Sequence, residues 1–346
     1  MKSVPRRSRL VKAYAASGVD VDLGNRVKRG LSRQLQGASR PEVLSKIGGF
    51  GGLFDARFKG IKHPVLVSSI DGVGTKLMVA GMLGNHRSIG ADLVNHCVND
   101  IAVIGAEPLF FLDYFGTGKL DPKLFREVIA GITEACKKAG CALIGGETAQ
   151  MPGLYQGKDY DLVGAIVGVV DRAKMIDGSS IRKGDHLIGF PSSGLHTNGY
   201  SLARKVIFEN LRMTLDQQVP GSRETLGTAL LKVHINYQPL LKQLGTKIRW
   251  KGLAHITGGG FLDNIPRVLP PQVNARIRLG TWPVPPIFRL LQGGGKIPRD
   301  ELYQVFNMGI GMVAVVSPED ATRCLQMTEC YPIGEIVSGT GRVELV

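Results

Sequence analysis

A short segment that joins a strand to a helix places the strongest constraint on the fold of this chain. Residues Pro64 to Ser69 are mostly apolar and β-branched, which predicts a buried strand. Residues Leu77 to Leu83 predict a helix, and only Asp-Gly-Val-Gly-Thr-Lys separates the two after Ile70. A strand that runs through a glycine turn into a helix is the building unit of α/β proteins. We therefore expect an α/β fold.

The turn itself combines groups that bind phosphate. Gly72 and Gly74 allow the backbone to turn tightly with its N–H groups exposed, while Thr75 and Lys76 open the helix. Backbone N–H groups, a helix N-terminus and a lysine at one point suit a phosphate, and Asp71 could hold a hard cation beside it. The same residues also build ordinary turns, and that alternative stays open.

Similar turns recur along the chain and divide it. Gly145-Gly146 follows a predicted strand in the first half, and the second half restarts with a strand at His186 to Phe190. Turns at Asp177 to Ser180 and at Lys183 to Asp185 mark the boundary between the halves. We predict three parts: a basic N-terminal arm with a short helix at residues 1–40, a phosphate- and magnesium-binding α/β domain at 41–172, and a second α/β domain at 173–346.

Composition excludes several classes of protein. No apolar run reaches the ~20 residues that a membrane span requires. Of the 43 Lys and Arg residues, ten fall within residues 1–40, against two acids, but Tyr14 is the one aromatic residue of that arm. Nucleic-acid-binding surfaces usually interleave aromatics with basic residues, so we expect no nucleic-acid partner. Five scattered cysteines and the lack of a secretory signal favour the cytoplasm.

Carboxylates at the ends of predicted elements suggest a metal site. Asp71 and Glu147 each follow a strand beside glycines, and Asp100 lies on the polar stripe of a helix predicted at Ile89 to Gly105. That stripe contains carboxylates and carboxamides but no Lys or Arg, which is unusual for a solvated helix face. We predict that the three acids hold Mg²⁺ with substrate phosphates. An exposed stripe without a ligand is the alternative.

Three further glycine-bearing segments are candidate anion sites. Gly48 to Gly52 contains four glycines and one aromatic, and it suits either a loop over a ligand or a flexible connector. Ser192 to Gly199 and His255 to Gly260 each lead from a strand to a helix. The first of these turns carries His196, for which a proton-transfer role and a buried structural role are both open.

Taken together, seven blocks resemble one enzyme family, phosphoribosylformylglycinamidine cyclo-ligase, also called aminoimidazole ribonucleotide synthetase. The resemblance runs from about Tyr14 to about Gly334. The blocks are GGFGGLFD from Gly48, DGVGTKL from Asp71, CVNDI with GAEPLFFLDYFGTGKLD from Cys97, GGETAQMPG from Gly145, HTNGYSL from His196, TGGGFLDNIPRVLP from Thr257 and FNMGIGM from Phe306.

The resemblance implies an activity, cofactors and partners. ATP and Mg²⁺ would serve the ring closure of formylglycinamidine ribonucleotide to aminoimidazole ribonucleotide, with release of ADP and phosphate, in the fifth step of de novo purine synthesis. It also implies a homodimer in which the strands of a mixed N-terminal sheet pair across the interface. Two alternatives remain: another ATP-dependent enzyme of the superfamily, such as selenophosphate synthetase, thiamine-phosphate kinase or formylglycinamidine synthase, or a catalytically silent nucleotide-binding relative.

The resemblance also implies roles for individual residues. Lys76, His196 and Asp71 would be catalytic, and Asp71, Asp100 and Glu147 would hold the metal. The residues implied for ATP and phosphate are Gly48, Gly49, Phe50, Gly51, Gly52, Gly72, Gly74, Thr75, Lys76, Asn99, Gly145 and Gly146. Those implied for the ribonucleotide are Gly194, His196, Asn198, Thr257, Gly258, Gly259 and Gly260.

The chain departs from the family pattern at two places. Ser68-Ser69-Ile70 stands where the family usually has Ser-Gly-Thr. Val233-His234-Ile235-Asn236-Tyr237 stands where many members have Pro-Thr-Arg-Ile-Tyr, so an arginine suited to a substrate phosphate is missing. His234 or Lys232 could take over that contact.

Overall fold

The computed structural model describes residues 19–30, 36–45 and 51–346. Helix α1 spans Val21–Gly30, and a short 3₁₀ turn spans Gln36–Ala38. The Asp20 carboxylate accepts a hydrogen bond from the Leu23 N–H at 2.8 Å, which caps the start of α1. Most of the predicted basic arm lies outside the described residues.

A four-stranded sheet follows, with three helices along its chain segment. Its strands are β1 (Pro64–Gly72), β2 (Glu107–Thr117), β3 (Ala142–Gln150) and β4 (Tyr160–Asp171). The spatial order is β1-β4-β2-β3, so β1 and β3 form the two edges. The helices are α2 (Lys76–Leu83), α3 (Arg87–Ala102) and α4 (Pro122–Ala139).

Local sequence explains the ends of α4 and its packing against α3. Asp121 accepts hydrogen bonds from two N–H groups of the first turn, and Gly140 ends the helix in the left-handed region with φ 64°. A Cβ atom on Gly90 of α3 would lie 2.1 Å from a backbone oxygen of α4, and one on Gly131 of α4 would lie 2.0 Å from a backbone oxygen of α3. The two helices therefore approach backbone to backbone, which needs glycine on both sides.

A six-stranded sheet forms in the second half of the chain. Its strands are β5 (His186–Pro191), β6 (Gly252–His255), β7 (Val273–Ile277), β8 (Ile310–Val316), β9 (Tyr331–Ser338) and β10 (Val343–Leu345), in the spatial order β10-β7-β9-β5-β8-β6. The pairs around β5 and β8 are antiparallel, whereas β10 pairs with β7 in parallel. Every residue of β8 is buried, so this strand lies at the centre of the core.

Helices accompany that sheet throughout. They are α5 (Tyr200–Arg204, continued by a π-helical turn, Lys205–Asn210), α6 (Leu226–Leu231), α7 (Gln238–Leu244), α8 (Gly260–Asn264, continued by a 3₁₀ turn, Ile265–Val268), α9 (Pro286–Gly295), α10 (Arg299–Val305) and α11 (Pro318–Met327). Two sheets with helices confirm the predicted α/β class. Within the described residues, no helix combines the length and apolar character that a membrane span requires.

The chain separates into two compact units. The first contains the described residues up to Lys59, with Ser68–Cys97 and Pro108–Val167. The second contains Gly60–Val67, Val98–Glu107 and Gly168–Val346. The units interleave along the chain, whereas the predicted domain boundary after residue 172 follows chain order, so that boundary stays a prediction.

Candidate active site

The predicted phosphate turn of the first unit has the expected shape. Strand β1 ends at Gly72, Gly74 has a φ of 65°, and α2 begins at Lys76 directly after Thr75. A Cβ atom on Gly72 would lie 3.4 Å from the backbone oxygen of Leu162 in the neighbouring strand. Glycine therefore serves both the tight turn and the close approach to β4.

Asp71 presents a partly exposed carboxylate at this turn. Its Oδ1 accepts the Gly72 N–H at 2.6 Å, and its Oδ2 lies 2.9 Å from Nε2 of His96. The Asp71 side chain keeps 41% of its surface exposed, whereas His96 is buried in α3. The imidazole thus orients a carboxylate that solvent or a ligand can still reach.

Lys76 lies in a different environment from the one the sequence suggested. Its ammonium is fully buried and forms an ion pair with Asp92 of α3 at 2.7 Å, and Asp92 is fully buried as well. Burial lowers the pKa of Lys76, and the nearby Asp92 carboxylate opposes that shift. The predicted role of Lys76 in charge neutralisation at phosphate stays a prediction. The sequence analysis assigned the polar stripe that contains Asp92 to metal or ligand contacts and did not identify Lys76 as the partner of Asp92.

Glu147 and the glycines before it lie on the edge strand β3. Glu147 is exposed, and Gly145 and Gly146 pair with β2. A Cβ atom on Gly146 would lie 2.3 Å from the Asp113 carboxylate, so this glycine makes room for an acid that sequence reasoning did not single out. Of the predicted loop at Gly48 to Gly52, the structure describes Gly51 and Gly52.

Asp71 and Glu147 do not form an assembled metal cluster. They lie on the two edge strands, β1 and β3, with two strands between them. At a strand spacing of ~4.8 Å, their backbones are roughly 14 Å apart across the sheet. Among the described residues, neither belongs to a group of three His, Cys, Asp or Glu side chains whose ligand atoms lie within 4.8 Å of one another.

The second unit contains the turn predicted to bind the ribonucleotide. The segment after β5 places His196 in the left-handed region with φ 59°, an uncommon conformation for a residue other than glycine. The Ser193 N–H donates to Nε2 of this buried histidine at 3.2 Å. Gly194 adopts φ 159°, and the Asn307 amide donates to its carbonyl oxygen at 2.8 Å. Hydrogen bonds therefore fix both Gly194 and His196 within the turn.

A chain of hydrogen bonds runs from Asp100 to this turn. The Asp100 Oδ1 lies 2.8 Å from His255 Nδ1, and His255 Nε2 lies 2.8 Å from His234 Nε2. His234 Nδ1 in turn lies 3.3 Å from the Thr197 hydroxyl. An ionised carboxylate can only accept hydrogen bonds, so His255 Nδ1 carries the proton that it donates to Asp100. With both rings neutral, His255 Nε2 accepts a hydrogen bond from His234 Nε2, and His234 Nδ1 accepts one from the Thr197 hydroxyl.

Asn99, which was predicted to contact ATP, forms two hydrogen bonds with the protein backbone. Its amide group donates to the carbonyl oxygen of Ile235 at 2.7 Å, and its Oδ1 accepts the Tyr237 N–H at 2.8 Å. Asn99 thus fixes the segment that carries His234. Its implied contact with ATP stays a prediction.

The two predicted ribonucleotide turns lie side by side. A Cβ atom on Gly258 would lie 3.3 Å from Oδ1 of Asn198. Gly259 and Gly260 both have positive φ angles, and the Asn264 amide donates to the carbonyl oxygens of Gly258 and Gly260. The structure therefore brings Asn198 next to the turn that begins at Thr257, and their shared contact with the ribonucleotide stays a prediction.

Gly311 of β8 makes room for His196. A Cβ atom there would lie 2.5 Å from Cε1 of His196 and 2.1 Å from the Tyr237 hydroxyl. We expect Gly311→Ala to displace the His196 ring, to lower kcat, and to destabilise the fold by about 1–3 kcal/mol, as overpacking does. Steady-state kinetics and urea unfolding measure both effects.

Gly293→Ala in α9 is the matched control, because a Cβ atom at Gly293 meets nothing within 4 Å. Equal kinetics and stability for the Gly311 and Gly293 variants would show that the close fit around His196 is unimportant.

Comparison with known proteins identifies the family. Residues 57–170 match the N-terminal domain of AIR synthase related proteins, and residues 182–346 match the C-terminal domain. The phosphoribosylformylglycinamidine cyclo-ligase of Citrifermentans bemidjiense is 52% identical over 96% of this chain and 98% of its own. The cyclo-ligase of Geobacillus kaustophilus is 48% identical over 96% of this chain and 97% of its own.

The chain belongs to the phosphoribosylformylglycinamidine cyclo-ligase family. The predicted resemblance is confirmed over 96% of this chain.

Solved structures of other proteins share the fold of this chain at lower sequence identity. Thiamine-monophosphate kinase from Stenotrophomonas maltophilia superposes with a TM-score of 0.67 at 18% identity, covering 91% of this chain and 95% of that one. The hydrogenase maturation protein HypE from E. coli superposes with a TM-score of 0.65 at 19% identity, covering 94% and 93%.

Proposed function

We propose that this chain uses ATP to close the imidazole ring of aminoimidazole ribonucleotide from formylglycinamidine ribonucleotide, with release of ADP and phosphate. The observation that carries the proposal is the full-length likeness to named cyclo-ligases. The geometry supports it, because the structure contains a strand–glycine turn–helix element with an accessible acid, and two adjacent polar turns around His196 and Thr257.

The reaction requires an amide oxygen to leave, which it does poorly as hydroxide. Transfer of the γ-phosphoryl group of ATP to that oxygen makes it a phosphate ester, and the amidine nitrogen then attacks the same carbon. The C–O bond breaks, phosphate departs, and the nitrogen loses a proton as the ring closes. In phosphoryl transfer, positioning and charge stabilisation supply most of the catalysis.

The residues of the turn suit the ATP phosphates. The backbone at Gly74 and Thr75 lies at the start of α2, where N–H groups and the helix dipole favour anionic oxygens. Mg²⁺, when bound, would neutralise charge on the phosphates, and Asp71 is the residue that would hold it, since its carboxylate is partly exposed and oriented by His96. Asp71 and Glu147 lie on the two edge strands of the sheet, and a contact of Asp100 and Glu147 with the same Mg²⁺ stays a prediction.

We further propose that the protein acts as a homodimer in the cytoplasm. All five cysteines lie in described segments, are buried and form no disulfide, which is consistent with a reducing compartment. Strand β1 is a sheet edge, and Leu66 and Ile70 on its outer face are 63% and 69% exposed. Apolar side chains along an unpaired edge strand favour contact with a second copy.

Ile70→Lys is expected to convert the dimer to a monomer, because it places a charge in that apolar contact. Light scattering after size-exclusion chromatography measures the mass. Leu154→Lys is the control, since Leu154 lies in the segment between β3 and β4, is 70% exposed, and its variant should stay dimeric. A dimer that is unaffected by Ile70→Lys would place the interface elsewhere.

A kinase of the same fold is the second candidate, because thiamine-monophosphate kinase superposes over most of the chain. ADP release by the purified protein with thiamine monophosphate, and separately with formylglycinamidine ribonucleotide, distinguishes the two. We expect stimulation by the ribonucleotide alone; stimulation by thiamine monophosphate alone would contradict the proposal.

A further inference from the structure

Three buried histidines from separate segments converge in the second unit. His196 comes from the turn after β5, His234 from the segment before α7, and His255 from the end of β6. One ring nitrogen of each lies within 4.8 Å of the others. The ring of His234 stacks on that of His196 at 4.0 Å, with 22° between the planes. The third ring, that of His255, contacts His234 through the hydrogen bond between their Nε2 atoms.

The outer nitrogens of two rings already have the partners that metal-bound histidines use. His255 Nδ1 bonds to the Asp100 carboxylate, and His234 Nδ1 bonds to the Thr197 hydroxyl. The two Nε2 atoms then face each other at 2.8 Å. In metal sites, a carboxylate or a similar group on the far nitrogen fixes the ring and aims the near nitrogen at the ion.

With both rings neutral, one proton lies between the two Nε2 atoms, and a divalent cation can replace it as the group that joins them. A Zn–N bond is ~2.0–2.1 Å, so at the present separation of 2.8 Å an ion bonded to both nitrogens lies about 1.5 Å to the side of the line between them, and ring rotation that widens the separation to about 3.3 Å gives a tetrahedral angle. The proton of His234 moves to Nδ1, where the Thr197 hydroxyl accepts it instead of donating. Both rings thus stay neutral, and no proton has to leave the protein.

We propose that His196, His234 and His255 form a binding site for a late first-row divalent cation such as Zn²⁺. Three neutral imidazoles select such ions over Mg²⁺, which prefers oxygen ligands. His196 supplies the third nitrogen; because its ring stacks on that of His234, it rotates out of the stack to aim a nitrogen at the ion, and ligation through Nε2 replaces the bond from the Ser193 N–H. Three histidines leave the fourth position of a tetrahedral ion for water or a ligand. None of these ligands is Asp71, the residue proposed for the Mg²⁺ of ATP.

Titration of the metal-free protein with Zn²⁺ in a calorimeter tests the site. We expect one ion per chain for the wild type. His234→Thr removes a ligand and should weaken binding by about 100-fold or more. Thr197→Val removes the partner of a ligand and should weaken it by about 10–100-fold. His63→Ala removes an exposed histidine and should leave the binding unchanged. Equal binding by the His234 and His63 variants would overturn the proposal.

A second measurement on the wild type covers the case in which His234→Thr does not fold. X-ray absorption of the zinc-loaded protein should show three imidazole ligands. Fewer than three, or the absence of one-to-one binding by the wild type, would also overturn the proposal. Neither readout depends on catalytic activity, so the outcome is independent of the proposed ring closure.

Discussion

Lys76→Met is expected to lower the free energy of unfolding by about 3–5 kcal/mol, because it leaves the Asp92 carboxylate buried without its cation. Both side chains are fully buried, so water cannot compensate the lost charge. Urea unfolding of the variant and the wild type measures the difference. The double variant Lys76→Met with Asp92→Leu should recover much of the loss, because no isolated charge remains.

Lys158→Met is the control for this prediction. Lys158 pairs with Asp121 at the same N–O distance of 2.7 Å, but 71% of its side chain is exposed. Surface pairs of this kind contribute only about 0–1 kcal/mol. If Lys76→Met lowers the free energy of unfolding by no more than Lys158→Met does, the buried ion pair does not stabilise the fold in the way its geometry indicates.

Asp71→Asn is expected to abolish turnover while leaving a folded dimer. The change preserves the shape of the side chain but removes the charge that would hold Mg²⁺ at the phosphate turn. Loss of a group that stabilises transferring charge typically lowers kcat by about 100-fold or more. The measurement is kcat at saturating Mg²⁺ and ATP, together with the unfolding curve and the mass in solution.

Asp177→Asn is a suitable comparison, since Asp177 is likewise an acid that accepts a neighbouring backbone N–H, that of Ser179, at 2.9 Å. It lies in an exposed turn and should retain activity. Near-normal turnover by Asp71→Asn would contradict the role assigned to this carboxylate.

Turns and helix ends could be predicted because a few consecutive residues determine each of them. The glycine turn and α2 after Asp71 follow from a few consecutive residues, and Gly140 ends α4 as expected. The strand before them was predicted as buried, which is wrong: β1 is an edge strand with alternating exposed residues. The partners of buried polar groups were not predictable. Asp71 meets His96, and Asp100 meets His255, across many residues of chain. Such pairs depend on how helices and strands pack, and the spacing of residues does not encode that packing.

Strand order determines the separation of Asp71 and Glu147, which residue spacing along the chain did not reveal. Similar positions after strands suggested that Asp71 and Glu147 converge. The order along the chain is β1, β2, β3, β4, but β4 inserts beside β1 in space. The two acids therefore end on opposite edges. Likewise, the polar stripe of α3 was correctly distinguished from a solvated face, but Asp92, His96 and Asn99 are buried with partners from the protein itself.

The central claim is the ring closure, and its product gives the most direct test. The purified protein is incubated with ATP, Mg²⁺ and formylglycinamidine ribonucleotide; ADP is quantified, and the aminoimidazole is trapped as its diazo dye. The account predicts that the dye and ADP form in equal amounts, and that neither forms when the ribonucleotide is omitted. ADP release without the dye, or no response to the ribonucleotide, would contradict it.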